Sequence, residues 1–159
     1  MNTSNEVYFS SLLKTDYPKV YRAIVDVLDR HSIKHGLLES TRDYWCRDYM
    51  PVQSGFHDYI QFVYHPDYLK KERQYETDST TVFDNAQALT GIAPTSSHLI
   101  ADGGNFRFCR SREGKPVIVM TEKIFAENPS CSREEVISEL RVLFHQTDIL
   151  FLPWDRLDK

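Results

Sequence analysis

The sequence predicts an α/β or α+β fold with mixed sheets and flanking helices, on three observations. Stretches of strand composition and stretches of helical periodicity alternate along the chain and do not segregate. No low-complexity tract and no Pro/Gly-rich linker divides it. Its 159 residues fall within the range of one domain able to bury a core. Residues 1–159 are therefore expected to form a single domain.

The first element is a helix within "DYPKVYRAIVDVLDRHSIKH". Val20, Ile24, Val27 and Leu28 recur at helical spacing, Asp16 is placed to cap the start, and Pro18 suits a first turn. Gly36 is expected to stop it, and "GLLES" follows as a short strand. "DYIQFVYHP" has the β-branched and aromatic content of a strand closed by Pro66. The polar run "DYLKKERQYETDS" reads as a surface connection, and "TTVFDNAQALTG" as a short helix ending at Gly91. "HLIADGGNFRFCRS" reads as strand, glycine turn, strand. "KPVIVMTEK", almost wholly apolar, is predicted to be a central strand. In "SREEVISELRVLFHQ", Ser132 and Glu135 form a capping box, and Val136, Leu140 and Leu143 supply a buried stripe. "TDILFLP" is a last apolar strand.

Hydrophobic residues at 41% and charged residues at 26% argue for a packed globule rather than a disordered chain. A net charge of −4 offers no basic stripe for a nucleic-acid partner. No apolar run reaches membrane-spanning length, and "MNTSNEVYFSSLL" lacks the charged-then-apolar pattern of a signal peptide. Three cysteines, Cys46, Cys109 and Cys131, show no C-x-x-C spacing. The expectation is a reduced, cytoplasmic protein without a structural metal.

Two stretches carry chemistry. "STRDYWCRDYMPV", Ser40 to Val52, packs two Arg-Asp pairs, a Trp, two Tyr and a Cys into a few residues. A carboxylate beside aromatic rings receives a guanidinium or ammonium well, by charge-assisted hydrogen bonds and by the ring face. In an extended segment Cys46 and Asp48 would project to one side, Trp45 and Arg47 to the other. The competing reading pairs Arg42, Asp43, Arg47 and Asp48 among themselves and buries Trp45 in the core. The second stretch, "ADGGNFRF", sets Asp102 before a Gly-Gly pair, either a simple hairpin turn or a place of close backbone approach.

Together these stretches resemble the agmatine deiminase and bacterial peptidylarginine deiminase family. "WCRDYMP" is similar to its Trp-x-Arg-Asp-x-x-Pro signature, and "DGGNF" to the acidic-Gly-Gly-Asn segment that follows. The resemblance implies a partial pentein fold, a fan of ββαβ-type units, with this chain spanning about the first half. It implies a guanidino small molecule or peptidyl-arginine as partner, and no metal or organic cofactor. Asp48 would grip the guanidinium and Trp45 and Arg47 would support that wall. Asp102 would stand where the family often has a longer Glu, and Gly103, Gly104 and Asn105 would form the adjoining turn.

The family's chemistry uses a cysteine thiolate on the guanidinium carbon and a histidine that protonates the departing ammonia. The resemblance places these in a Gly-His-x-Asp stretch and a C-terminal Cys segment; this sequence contains neither. No catalytic residue is therefore assigned. Cys46 sits near a carboxylate, which disfavours a thiolate, and Cys109 has buried packing as its ordinary alternative. His31 and His35, at i, i+4 near a helix end, have no third metal-ligand pattern beside them. Two expectations follow: a hydrolase-derived N-terminal half without turnover of its own, or a non-catalytic guanidinium-binding module. In both, the apolar "ILFL" strand argues for a homo-oligomer or for a missing C-terminal half that would cover it.

Overall fold

A computed structural model describes residues 6–154. Strand β1 (Glu6–Ser10) leads through helices α1 (Ser11–Asp16) and α2 (Pro18–Arg30) to β2 (Lys34–Leu38), which lies parallel to β1. Next come the short helix α3 (Cys46–Tyr49), strands β3 (Val52–Gly55) and β4 (Asp58–Val63), helix α4 (Ser79–Thr90) and strand β5 (Thr95–Ile100). The last third holds β6 (Arg107–Arg110), β7 (Pro116–Thr121), helices α5 (Lys123–Glu127) and α6 (Arg133–Leu143), and β8 (Asp148–Leu152).

The strands form three small sheets rather than one, in the orders β1-β2, β3-β4-β5 and β6-β7-β8. The second and third share one plan. β3 and β4 run antiparallel, and β5 returns parallel to β4 after a helical crossing. β6 and β7 likewise run antiparallel, and β8 returns parallel to β7 after α5 and α6. The described chain thus contains two ββαβ units in tandem, each with its second strand in the centre. β7 is central, paired with β6 on one edge and β8 on the other; Ile118 and Met120 on one face are buried, and Val117 and Val119 on the other are half-buried.

A main core joins these two units. Phe62, Phe106 and Phe144 form its aromatic centre, with ring centroids 5.0 Å apart for Phe62–Phe106 and 5.5 Å for Phe106–Phe144. Leu99, Ile118 and Leu140 are almost completely buried around them, and each such side chain contributes about 1.5–3 kcal/mol. A second, smaller core gathers Leu38, Tyr49, Tyr64, Leu69 and Val82 beneath α4 and β2. α6 begins with the predicted capping box, Glu135 N–H donating to Ser132 Oγ and Ser132 N–H to the Glu135 carboxylate. α4 is capped by Asp78 and ends at Gly91, whose φ of 71° is left-handed backbone that glycine adopts without strain.

The first helical region departs from expectation. β1 and α1 were not signalled by the sequence, and Asp16 ends α1 instead of capping α2. The cause is Pro18, which forces Tyr17 out of helical backbone (φ −128°) and splits the run in two. Gly36 does not stop α2. The helix ends at His31, where one N–H is shared among several carbonyls, and Ser32 then takes φ 53°. Gly36 lies inside β2 instead, where an added Cβ would meet the Tyr8 ring at 3.0 Å. Of the predicted apolar face, Ile24 and Leu28 are half-buried while Val20 and Val27 stay exposed. Strand β8 is not wholly buried either, since Leu150 and Leu152 face outward on alternate positions. No helix among the described residues is long and apolar enough to cross a membrane.

Candidate functional site

The segment from Ser40 to Val52 is not extended. Asp43 starts a turn, its Oδ1 accepting from the Tyr44 and Trp45 backbone N–H groups, and Cys46–Tyr49 then complete one helical turn. Helical spacing puts Cys46 and Tyr49 together on the inner side, where the Tyr49 hydroxyl donates to the Asp43 carbonyl at 2.9 Å. The alternation expected of a strand is therefore lost, and Asp48 faces away from the buried Tyr49. The internal-pairing reading also fails for Arg47, whose guanidinium turns from Asp48 and donates to the Phe106 carbonyl at 2.9 Å. Trp45 is not core: it is 69% exposed.

The glycine pair explains how the two stretches meet. β5 and β6 belong to different sheets, so "DGGN" is no hairpin turn; it is a crossing that presses a 3-10 turn (Gly103–Asn105) against α3. A Cβ on Gly103 would stand 2.1 Å from the Arg47 carbonyl oxygen, and one on Gly104 would stand 2.5 Å from Asp48 Oδ1. Only glycines permit this approach. Asn105 fixes the turn from the other side, its Oδ1 accepting from Thr121 N–H at 2.8 Å and from the Thr121 hydroxyl at 2.9 Å.

The result is a cleft of about 930 Å³. Asp48, Asp102, Gly104 and Asn105 line it, joined by Tyr68, Lys123 and Trp154. Arg47 and Gly103 line a second depression instead, with Phe56, Phe108 and Arg110. Trp45 lines neither. Sequence reasoning missed Tyr68, Lys123 and Trp154. Tyr68 sits in the polar run read as a mere connection, and an aromatic ring amid lysines and acids was the one available signal. Lys123 closes the "KPVIVMTEK" strand stretch but in fact begins α5.

Charge is concentrated at the cleft floor. Asp102 is only 7% exposed. Lys123 Nζ stands 2.5 Å from its Oδ2, 3.5 Å from Asp67 Oδ1 and 5.2 Å from the Tyr68 ring centre. It is also 3.1 Å from Glu127 Oε1, an ion-pair distance without hydrogen-bond geometry. Asp102 Oδ1 has no hydrogen-bond partner among the described residues. Burial opposes the Lys123 charge, but the surrounding carboxylates outweigh it and hold the ammonium above its ordinary range. Asp48 is pushed up by burial and by repulsion from Asp102, against the Tyr68 hydroxyl at 3.4 Å.

Burial and Asp102 also push Glu127 from 4.5 to about 7. The native state therefore holds a proton that the unfolded chain releases, and stability falls as pH rises from about 4.5 to about 7. Glu127→Gln removes this term. Denaturant midpoints measured across that window are expected to flatten in the variant, and an unchanged slope would contradict the assignment.

The cysteines lie elsewhere. Burial pushes the Cys46 thiol up, and Cys109 is exposed on β6. Cys131 Sγ is 3.9 Å from His98 Nε2, and His98 Nδ1 is 3.2 Å from Glu139 Oε2, but none of these three lines the cleft. His35 Nε2 is engaged by Asp29 at 3.0 Å.

Over residues 16–158 the chain matches the family described as Porphyromonas-type peptidyl-arginine deiminase. Among solved structures, it is similar to the agmatine deiminase of C. jejuni, with a TM-score of 0.66 at 16% identity. That match covers 97% of this chain and 55% of the other. It is also similar to the agmatine deiminase of Enterococcus faecalis, with a TM-score of 0.55 at 15% identity, covering 93% of this chain and 40% of the other. The chain thus spans about half, or less, of the length of these solved structures. No curated protein sequence matches it.

Proposed function

The chain belongs to the family of Porphyromonas-type peptidyl-arginine deiminases, and on that premise we propose that its cleft binds the guanidinium group of agmatine or of a peptidyl-arginine. One observation carries the reading: Asp48 and Asp102, from stretches far apart in sequence, line a single cleft beside the Tyr68 ring. Asp48 is the carboxylate open to the guanidinium at the outset in this reading, whereas Lys123 holds Asp102 until a ligand takes its place. A forked guanidinium donor matches a carboxylate in two parallel hydrogen bonds, and an aromatic neighbour adds attraction for the cation. Gly104 lets the turn close on Asp48, and Asn105 locks that turn to β7. Arg47 supports the wall from behind through the Phe106 carbonyl. Gly103 serves the site through the 3-10 turn it begins, and Trp45 through the separate turn that leads into α3.

We read the chain as the N-terminal portion of a deiminase-like fold, its two ββαβ units being blades of a fan. Among the residues lining the cleft there is no Cys and no His. That favours binding without turnover by this polypeptide, since covalent attack on a guanidinium carbon needs a thiolate and a proton donor acting together. The outward Leu150 and Leu152 of β8 support association, with a second copy or with the rest of such a fold. A monodisperse monomer in sedimentation at micromolar concentration would argue against a second copy.

Titration calorimetry with agmatine tests the binding claim. Asp48→Asn removes a charge-assisted bond and is expected to weaken binding roughly 10- to 100-fold, with the melting temperature preserved. Unchanged affinity would sink the assignment. Ammonia released from agmatine by the purified chain would remove the binding-only reading while leaving the site intact.

A further inference from the structure

We infer that Lys123 is a built-in competitor for the cleft, its ammonium occupying the carboxylate and ring face that a ligand's guanidinium would use. The inference rests on the guanidinium-cleft reading above and adds what sets its affinity and selectivity. A bound guanidinium needs a carboxylate to receive its forked N–H groups and an aromatic face to receive its charge. Lys123 already has both, with Asp102 at 2.5 Å and the Tyr68 ring centre at 5.2 Å.

The fit is incomplete in an informative way. An ammonium is a compact point charge, whereas a guanidinium is a planar fork. Lys123 satisfies Asp102 Oδ2, while Oδ1 of the same buried carboxylate has no hydrogen-bond partner among the described residues. A guanidinium arriving at Asp102 would engage both oxygens; a second ammonium would repeat the deficiency. The cleft is thereby tuned to yield to guanidino compounds and to resist simple amines of the same charge.

Lys123 also has somewhere to go. Glu127 lies one turn along α5 at 3.1 Å and Asp67 at 3.5 Å, so the flexible stem can pass the ammonium from Asp102 to these acids without leaving the cation unpaired. Glu127 carries two buried oxygens without hydrogen-bond partners among the described residues and is the natural acceptor. Ligand binding therefore exchanges one cation for another at Asp102 and does not bring a charge to an empty site.

Lys123→Met removes the competitor, and Lys123→Met with Glu127→Gln removes it without leaving the extra buried charge. By calorimetry at pH 8, the double variant, shown folded by its thermal melt, should bind agmatine about tenfold tighter or more. Lys123→Arg, which keeps the charge, should bind no tighter than wild type. Equal or weaker agmatine binding by the folded double variant overturns the inference, as does a Lys123→Arg variant that binds agmatine as much more tightly as the double variant does. If wild-type binding depends on Asp48 while these readouts do not move, this inference alone falls. Agmatine binding that is indifferent to Asp48→Asn in every form removes the cleft reading and this inference with it.

Discussion

Gly103→Ala is expected to cost roughly 3 kcal/mol or more of folding stability, the upper range for overpacking a close contact. The new methyl would fall 2.1 Å from the Arg47 carbonyl oxygen, and the obstructing atom is backbone, which no rotamer change can move aside. Relief requires the turn to separate from α3, and that separation would also break the Arg47–Phe106 hydrogen bond. Gly104→Ala makes an instructive contrast. Its Cβ would fall 2.5 Å from Asp48 Oδ1, the end of a side chain that can swing. Stability should therefore drop by no more than about 1 kcal/mol, while agmatine binding is lost because the displaced carboxylate no longer faces the cleft. Chemical denaturation and calorimetry on the two variants separate the cases. Equal stability losses would show that the turn does not press on α3 as described.

Asn128→Ala should cost about 3 kcal/mol, at about 1 kcal/mol for each buried hydrogen bond removed. The Asn128 side chain accepts from Ile100 N–H and donates to the Ile100 and Ile124 carbonyls, each at 2.8 Å. Ile100 ends β5 in one ββαβ unit, and Ile124 lies in α5 of the next, so a single amide ties the two units at the point where the chain crosses between them. For a chain of this length the melting temperature should fall by roughly 6–12 °C. A fall under about 2 °C would mean that water replaces the amide readily and that the tie is not structural. Because Asp102 follows Ile100 by two residues, weakened agmatine binding should accompany the loss.

What could be read from the sequence was whatever is written locally. The capping box at Ser132 and Glu135, the Val136 and Leu140 stripe, Gly91 after α4 and the apolar β7 run each state their structure within a few residues. Asp48, Asp102, Gly104 and Asn105 were legible as site candidates because their residue types in order resemble a family pattern, and the structure brings those four together. Features that depend on partners distant in sequence were not legible. β1 exists through its parallel pairing with β2, and Gly36 is small because the Tyr8 ring lies over it, which no local signal distinguishes from a helix stop. Tyr68 and Lys123 join the cleft only after the polar connection folds back over the glycine turn. A helical turn stands where an extended segment was expected, and that change of period sets Cys46 beside the buried Tyr49 rather than on the side of Asp48.

The two hydrophobic clusters among the described residues have a bearing on how the cleft can be tuned. Tyr49 roots α3 in the smaller cluster, whereas Ala101 and Phe106, on either side of the Asp102 turn, are rooted in the larger one. The two acidic groups are thus mounted on separate foundations that meet at a glycine seam. A slight tilt of one foundation on the other changes the spacing between those groups while both interiors stay closed. Grip and durability can therefore drift apart under mutation, and substitutions remote from the acids can retune one without touching the other.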